Sequence, residues 1–123
     1  NAENELRKNI LNVMNELLED DGYLVANIHV NSNSILGYVY RIRNKLLKKN
    51  IANTMSFKEF EKYLGDAGFV VSEVYWYSYL PRIGWRFPWL YKLFMTPFEK
   101  ICSSVHLLPR SMAQCFLVVA IKK

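Results

Sequence analysis

Cysteine and histidine are scarce in this chain. Its 123 residues include Cys102 and Cys115, His29 and His106, and no others of either type. They show no metal-ligand spacing, and two thiols are too few for a disulfide framework, so free buried thiols are expected. No apolar run approaches the roughly 18 to 20 residues needed to span a bilayer. The N-terminal stretch alternates charged with apolar side chains and does not resemble a secretory signal, so the expected location is the cytoplasm. The chain opens Asn1-Ala2 without a methionine, which reads as a cut or engineered start, with residues 1–2 a tag remnant. Paired carboxylates are missing as well: Asp66 and Glu73 stand alone. No serine or cysteine has a base at an identifiable spacing, so no acid–base pair and no activated nucleophile is visible. Internal repeats and low-complexity runs are also lacking.

What is present is apolar surface in ordered patterns. Hydrophobic residues make up 51% of the chain and charged ones 22%, which excludes wholesale disorder and suits a single domain over residues 1–123. The net charge of +5 and the pI near 9.3 permit an anionic partner without requiring one. Leu6, Ile10, Val13 and Leu17 recur at helical spacing, with Leu11, Met14 and Leu18 widening the stripe, and predict a helix over 3–19 buried along one face. Asp20-Asp21-Gly22 ends it. The run YLVANIHV, 23–30, is almost continuously apolar and predicts a strand covered on both faces.

Asn31-Ser32-Asn33-Ser34 is loop chemistry with N-cap candidates. It precedes a basic amphipathic helix over 35–49, with Ile35, Val39, Ile42 and Leu46 on one side and Arg41, Arg43, Lys45, Lys48 and Lys49 largely elsewhere. Ser56 and Glu59 form a capping box, and Met55 can staple onto Phe60. The helix they start carries Phe57, Phe60, Leu64 and Ala67 on one face and ends at Gly68, a left-handed cap that delivers the chain into a strand over 69–79. There Val70, Val74 and Trp76 alternate with Glu73, Tyr75, Tyr77 and Tyr79. Residues 80–110 hold all four prolines and read as an elaborated connection, with helical runs after Pro88 and Pro97. The terminal strand, about 113–121, is continuously apolar and must be central.

This order and texture resemble the carboxy-terminal half of class I S-adenosylmethionine-dependent methyltransferases. LLEDDGYLVANIHVNSN is similar to the family's helix, glycine turn, fifth strand and following loop. SFKEFEKYLGDAGFVVSEVYWYSYLP resembles its last helix and sixth strand, with the Ala67-Gly68-Phe69 join the most specific element, and AQCFLVVAIKK resembles the seventh. The resemblance implies a partial Rossmann-like α/β sheet whose last strand inserts antiparallel between the other two, with flanking helices and a helical insertion. The five glycines contain no GxGxG, and the family's cofactor-binding strands are missing. The resemblance therefore implies S-adenosylmethionine as cofactor of an intact parent, with none bound by this chain.

The family's acceptor side would comprise the loop 31–34, the helix 35–49 and the excursion 80–110. The candidate substrate-binding residues are accordingly His29, Asn31, Asn33, Tyr38, Arg41, Trp85 and Arg86, with a small-molecule methyl acceptor as partner and no catalytic residue assigned. His29 stands at a strand end, where open α/β sheets bind ligands. A histidine merely hydrogen-bonded there is the plainer alternative, since no carboxylate completes a dyad. The basic helix and the aromatic block from Trp85 to Phe98 could instead bind anionic lipid or nucleic acid as an autonomous module, or serve only packing. Nucleic acid is not the expected partner, and a membrane surface ranks below the small molecule. With no fourth strand to pair it, the strand 23–30 would present an open edge, so a homodimer through that edge, or by exchange of helix 3–19, is expected.

Overall fold

The computed structural model describes residues 2–48, 54–80, 87–105 and 108–123. It is a mixed α/β fold. Helix α1 (Ala2–Leu17) leads into β1 (Tyr23–Ile28), α2 (Ile35–Leu47), α3 (Phe57–Asp66) and β2 (Phe69–Tyr77). A short α4 (Pro88–Leu90), a π-helical turn (Tyr91–Met95) and α5 (Thr96–Val105) follow, then a 3-10 turn (Arg110–Met112) and β3 (Cys115–Lys122). The sheet order is β1-β3-β2, so the C-terminal strand is central, as its continuous apolarity predicts. Its end pairs with the starts of its neighbours, Lys122 N–H to Gly22 O and Lys123 N–H to Gly68 O, and its start with their ends, so β3 runs antiparallel to both. The chain divides into two compact units, residues 1–27, 57–75 and 117–123 in the first and 28–56 and 76–116 in the second.

In the first unit α1 packs against α3, but not through the predicted stripe. Leu11 is buried and Asn4, Arg7, Asn15 and Leu18 are half-buried, while Leu6, Ile10, Val13, Met14 and Leu17 are exposed. The helix turns its narrower, partly polar row toward its neighbours, and among the described residues no second layer covers the wider apolar row. Lys122 closes the end of α1: its ammonium donates to Leu18 O at 2.7 Å and lies 3.8 Å from the Asp20 carboxylate. The expectation that β1 is covered on both faces also fails. One face is open, with Tyr23 and Val25 exposed, because no described element packs over it, and β1 is also an edge of the described sheet.

Helix α3 follows its predicted face, with Phe60 and Leu64 buried. Gly68 has φ 85°, the left-handed conformation that lets the chain leave α3 and enter β2 at the buried Phe69. On β2 the tyrosine row is not uniform. Tyr75 is exposed and donates to the Glu73 carboxylate, whereas Tyr79 is buried. Ser78, at φ 59°, turns the chain out of the strand and sends Tyr79 into the core of the second unit.

That core gathers Tyr79, Cys102 and Ala113, with Trp76, Phe98 and Leu108 against them, and Trp76 meets Phe116 with ring centroids 5.2 Å apart. The π turn has a local cause. Pro97 has no N–H to give and its ring crowds the carbonyl four residues back, so the helix widens beforehand, and Thr96 N–H reaches Tyr91 O instead. Helix α2 starts at Ser34, one of the four N-cap candidates of the loop, whose hydroxyl accepts from Gly37 N–H at 3.0 Å. Gly37 is the only buried residue of α2, so the row Ile35, Val39, Ile42 and Leu46 lies exposed.

Two glycines carry this architecture. A Cβ on Gly37 would lie 2.3 Å from Asn31 O and 2.7 Å from Ser32 O, backbone atoms that cannot yield without breaking the loop. Gly37→Ala should destabilise the protein by about 2 kcal/mol or more, and Gly68→Val by about 1 to 3 kcal/mol through its left-handed backbone, both measured by urea denaturation. A wild-type midpoint for Gly68→Val would show that α3 can end another way.

Candidate functional site

β1 and β2 run parallel and end together in the second unit, with the start of β3 between them. Asn31 N–H donates to Gln114 O at 2.7 Å, and Gln114 N–H donates to Ser78 O. This carboxyl end of the sheet is where open α/β folds place ligands, and three side chains organise it.

The first is Asn31, which is fully buried. Its amide group donates to Ser111 O at 2.7 Å and Ala113 O at 2.8 Å, and its Oδ1 accepts from Asn33 N–H at 3.0 Å. Its carbonyl accepts from the Ser34 hydroxyl at 2.7 Å. Val30 O accepts from Met55 N–H, and Met55 O from Ser32 N–H, both at 3.2 Å. Asn31 thus ties the exit of β1 to the turn before β3 and to the cap of α2. Its side-chain donors are already occupied.

The second is Glu99. Its carboxylate accepts from Tyr79 N–H at 2.8 and 3.0 Å and from Leu80 N–H at 2.7 Å. The left-handed Ser78 leaves these two amides converging, and the carboxylate on α5 satisfies both. The third is Gln114, 8% exposed, whose Oε1 has no hydrogen-bond partner among the described residues. A buried acceptor without a donor carries a desolvation cost and marks a place where a ligand N–H or O–H would be favourable.

Around this frame stand four of the residues expected from sequence to bind substrate. Asn33 is exposed beside Asn31. The Arg41 guanidinium donates to Ser32 O at 3.2 Å and lies 5.1 Å from the centre of the exposed Tyr38 ring, a cation–π contact. His29 is exposed just beyond β1, and its backbone carbonyl accepts from the Cys115 thiol at 3.1 Å. Trp85 and Arg86 lie outside the described residues, as does His106. The structure therefore brings Asn31, Asn33, Tyr38 and Arg41 to one loop and helix start, with Asn31 in a supporting place.

Sequence reasoning missed Glu99 and Gln114. The signal for Glu99 was available, since it is the only acidic residue after Glu73. Gln114 is the one amide side chain in the otherwise apolar AQCFLVV. No group of three or more His, Cys, Asp or Glu side chains is placed to hold a metal ion among the described residues. Among the described residues the site gathers hydrogen-bonding groups and the Arg41 cation.

No family model matches the sequence, and no curated protein matches it. Among the described residues no helix is long and apolar enough to cross a membrane.

Both cysteines are buried thiols outside any disulfide. Burial, and secondarily the Glu99 charge, pushes the Cys102 thiol up from its ordinary value, and burial does the same to the Tyr79 hydroxyl. A folded-state value above the unfolded one leaves stability untouched below the unfolded value and lowers it as pH rises toward the folded one. Stability should therefore hold through neutral pH and begin to fall above about pH 9, the ordinary thiol range, as urea midpoints at rising pH would show. Asn31→Ala leaves two backbone carbonyls without their donor and should cost about 2 to 4 kcal/mol. Glu99→Ala should cost about 1.5 to 3 kcal/mol, the range for a charged acceptor. Unchanged melting in either variant would mean that the loop is held by other contacts.

Proposed function

We propose that this chain is the acceptor-binding, C-terminal portion of a class I S-adenosylmethionine-dependent methyltransferase acting on a small molecule. The observation that carries the reading is the strand arrangement. Two parallel strands flank an antiparallel C-terminal strand, the order that the resemblance implies for the family's fifth, seventh and sixth strands, and the last helix enters the sixth through Gly68. The sheet is then part of a Rossmann-like fold, and the carboxyl end of β1 and β2 faces the acceptor.

Methyl transfer suits a site without an acid–base pair, because holding the acceptor in line with the sulfonium methyl supplies much of the acceleration. In this reading Gln114 Oε1 accepts a hydrogen bond from the substrate. Arg41 and Tyr38 recognise its polar end, and His29 and Asn33 line the approach; Trp85 and Arg86, outside the described residues, remain candidate substrate contacts. Asn31 positions the loop. S-adenosylmethionine supplies the methyl group and would be held by a glycine-rich turn and an acidic strand end that this chain does not contain. The open edge of β1 fits either the parent's fourth strand or, in the isolated chain, a second copy paired across a two-fold axis.

Calorimetry tests this directly. The 123-residue chain should bind S-adenosylmethionine weakly or not at all, and an upstream coding sequence should contain a strand followed by a glycine-rich turn. In the longer protein, Gln114→Met should weaken acceptor binding about tenfold, the worth of one hydrogen bond, and leave cofactor affinity unchanged. Equal losses for both ligands, or tight cofactor binding by the 123 residues alone, would defeat the assignment.

A further inference from the structure

The charges of this protein are not spread evenly. The second unit, residues 28–56 and 76–116, holds ten lysines and arginines and a single acidic residue, Glu99. That glutamate is turned inward onto the amides of Tyr79 and Leu80. The first unit holds the other ten acidic residues against six basic ones. The net positive charge of the molecule therefore resides wholly in the second unit.

Helix α2 concentrates this charge and combines it with bare apolar surface. No acidic residue occurs between Asp21 and Glu59. Arg41, Arg43, Lys45 and Lys48 are all exposed, and so is the apolar row, with Ile42 at 60% and Leu46 at 77%. Val39, Ile42, Arg43, Leu46 and Leu47 line an open concavity of about 360 Å³. The same unit carries a second helical segment of like character. Trp89, Leu93, Phe94, Ile101 and Val105 are exposed along α4 to α5, with Lys92 and Lys100 beside them. Monomers rarely leave such faces open to water.

We propose that the second unit binds the surface of an anionic lipid bilayer, with α2 lying in the interface, its apolar row in the acyl boundary and its arginines and lysines at the headgroups. The chemistry selects this occupant. A helix with an apolar row, cations on its polar side and no anion is the pattern that partitions into negatively charged interfaces, where long basic side chains lay their stems on the apolar boundary and keep their charge at the phosphates. Nucleic acid would use the cations but leave the aliphatic row in water. A two-fold pairing of α2 with itself would set like charges against like across the axis. The inference does not depend on the methyltransferase reading.

Vesicle co-sedimentation tests it, with phosphatidylcholine alone and with phosphatidylcholine containing phosphatidylglycerol, each at low and high salt, beside a fluorescence-labelled RNA oligonucleotide. Binding should require phosphatidylglycerol and fall with salt. Arg43→Gln and Lys45→Gln should each weaken it about fivefold. The pair Ile42→Ser and Leu46→Ser should weaken it tenfold or more while leaving the melting curve unchanged, since both side chains already face solvent. Three results would overturn the proposal. One is equal binding to neutral vesicles, and another is vesicle binding that the serine pair leaves intact. The third is no vesicle binding at all, with either oligonucleotide binding indifferent to the serine pair or self-association that the serine pair abolishes.

Discussion

Asn31, fully buried, ties the end of β1 to the turn before β3 and to the start of α2 through its carboxamide and its backbone carbonyl. It fastens the end of β1 to the carbonyls of Ser111 and Ala113 before β3, fixes the turn at Asn33, and through its own carbonyl and Ser34 sets where α2 begins. An aspartate would set oxygens against those carbonyls, and an aliphatic side chain would supply no donor. Glycine at position 37 is a consequence, because the first turn of α2 comes so close to Asn31 O that a side chain has no room. The carboxyl end of the sheet thus depends on one polar group in a fully buried place, where an unmade hydrogen bond costs more than a made one gains.

Glu99 does for the exit of β2 what Asn31 does for the exit of β1. Each satisfies backbone groups that the end of a strand leaves over, and each spends its hydrogen-bonding capacity doing so. Neither is therefore well placed to meet a ligand. Gln114 stands between the two strand ends with an acceptor unmatched among the described residues, and the contrast is what distinguishes a binding candidate from a structural one at this site.

A three-stranded sheet is too small to cover the helices attached to it. The exposed rows of α1, α2 and α5 are apolar faces of ordinary amphipathic helices, each without a covering layer among the described residues. They differ in charge: α1 lies in the acidic unit and the other two in the basic one. Their occupants should accordingly differ in chemistry, and a lipid surface suits only the basic pair.

Periodicity and local chemistry were enough to read where the elements lie. The loop 31–34 and Gly68 announce a helix start and a helix end by steric and hydrogen-bonding rules that act within four residues, and α2 is capped by Ser34 of that loop while Gly68 takes the left-handed conformation. The continuous apolarity of β3 likewise told that it is central. What these rules do not reach is which face of an element finds a partner. Leu6, Ile10, Val13 and Leu17 form a proper apolar stripe, yet α1 buries the row through Leu11, because burial depends on neighbours supplied by distant residues. The same holds for the site. Asn31, a candidate substrate-binding residue by sequence, has its side-chain donors on the backbone of residues 111 and 113, and Glu99 and Gln114 come to the site only because α5 and the start of β3 lie at the ends of β2 and β1. Hydrogen bonds between residues some twenty or eighty positions apart leave no period in the chain, and only the tertiary structure decides them.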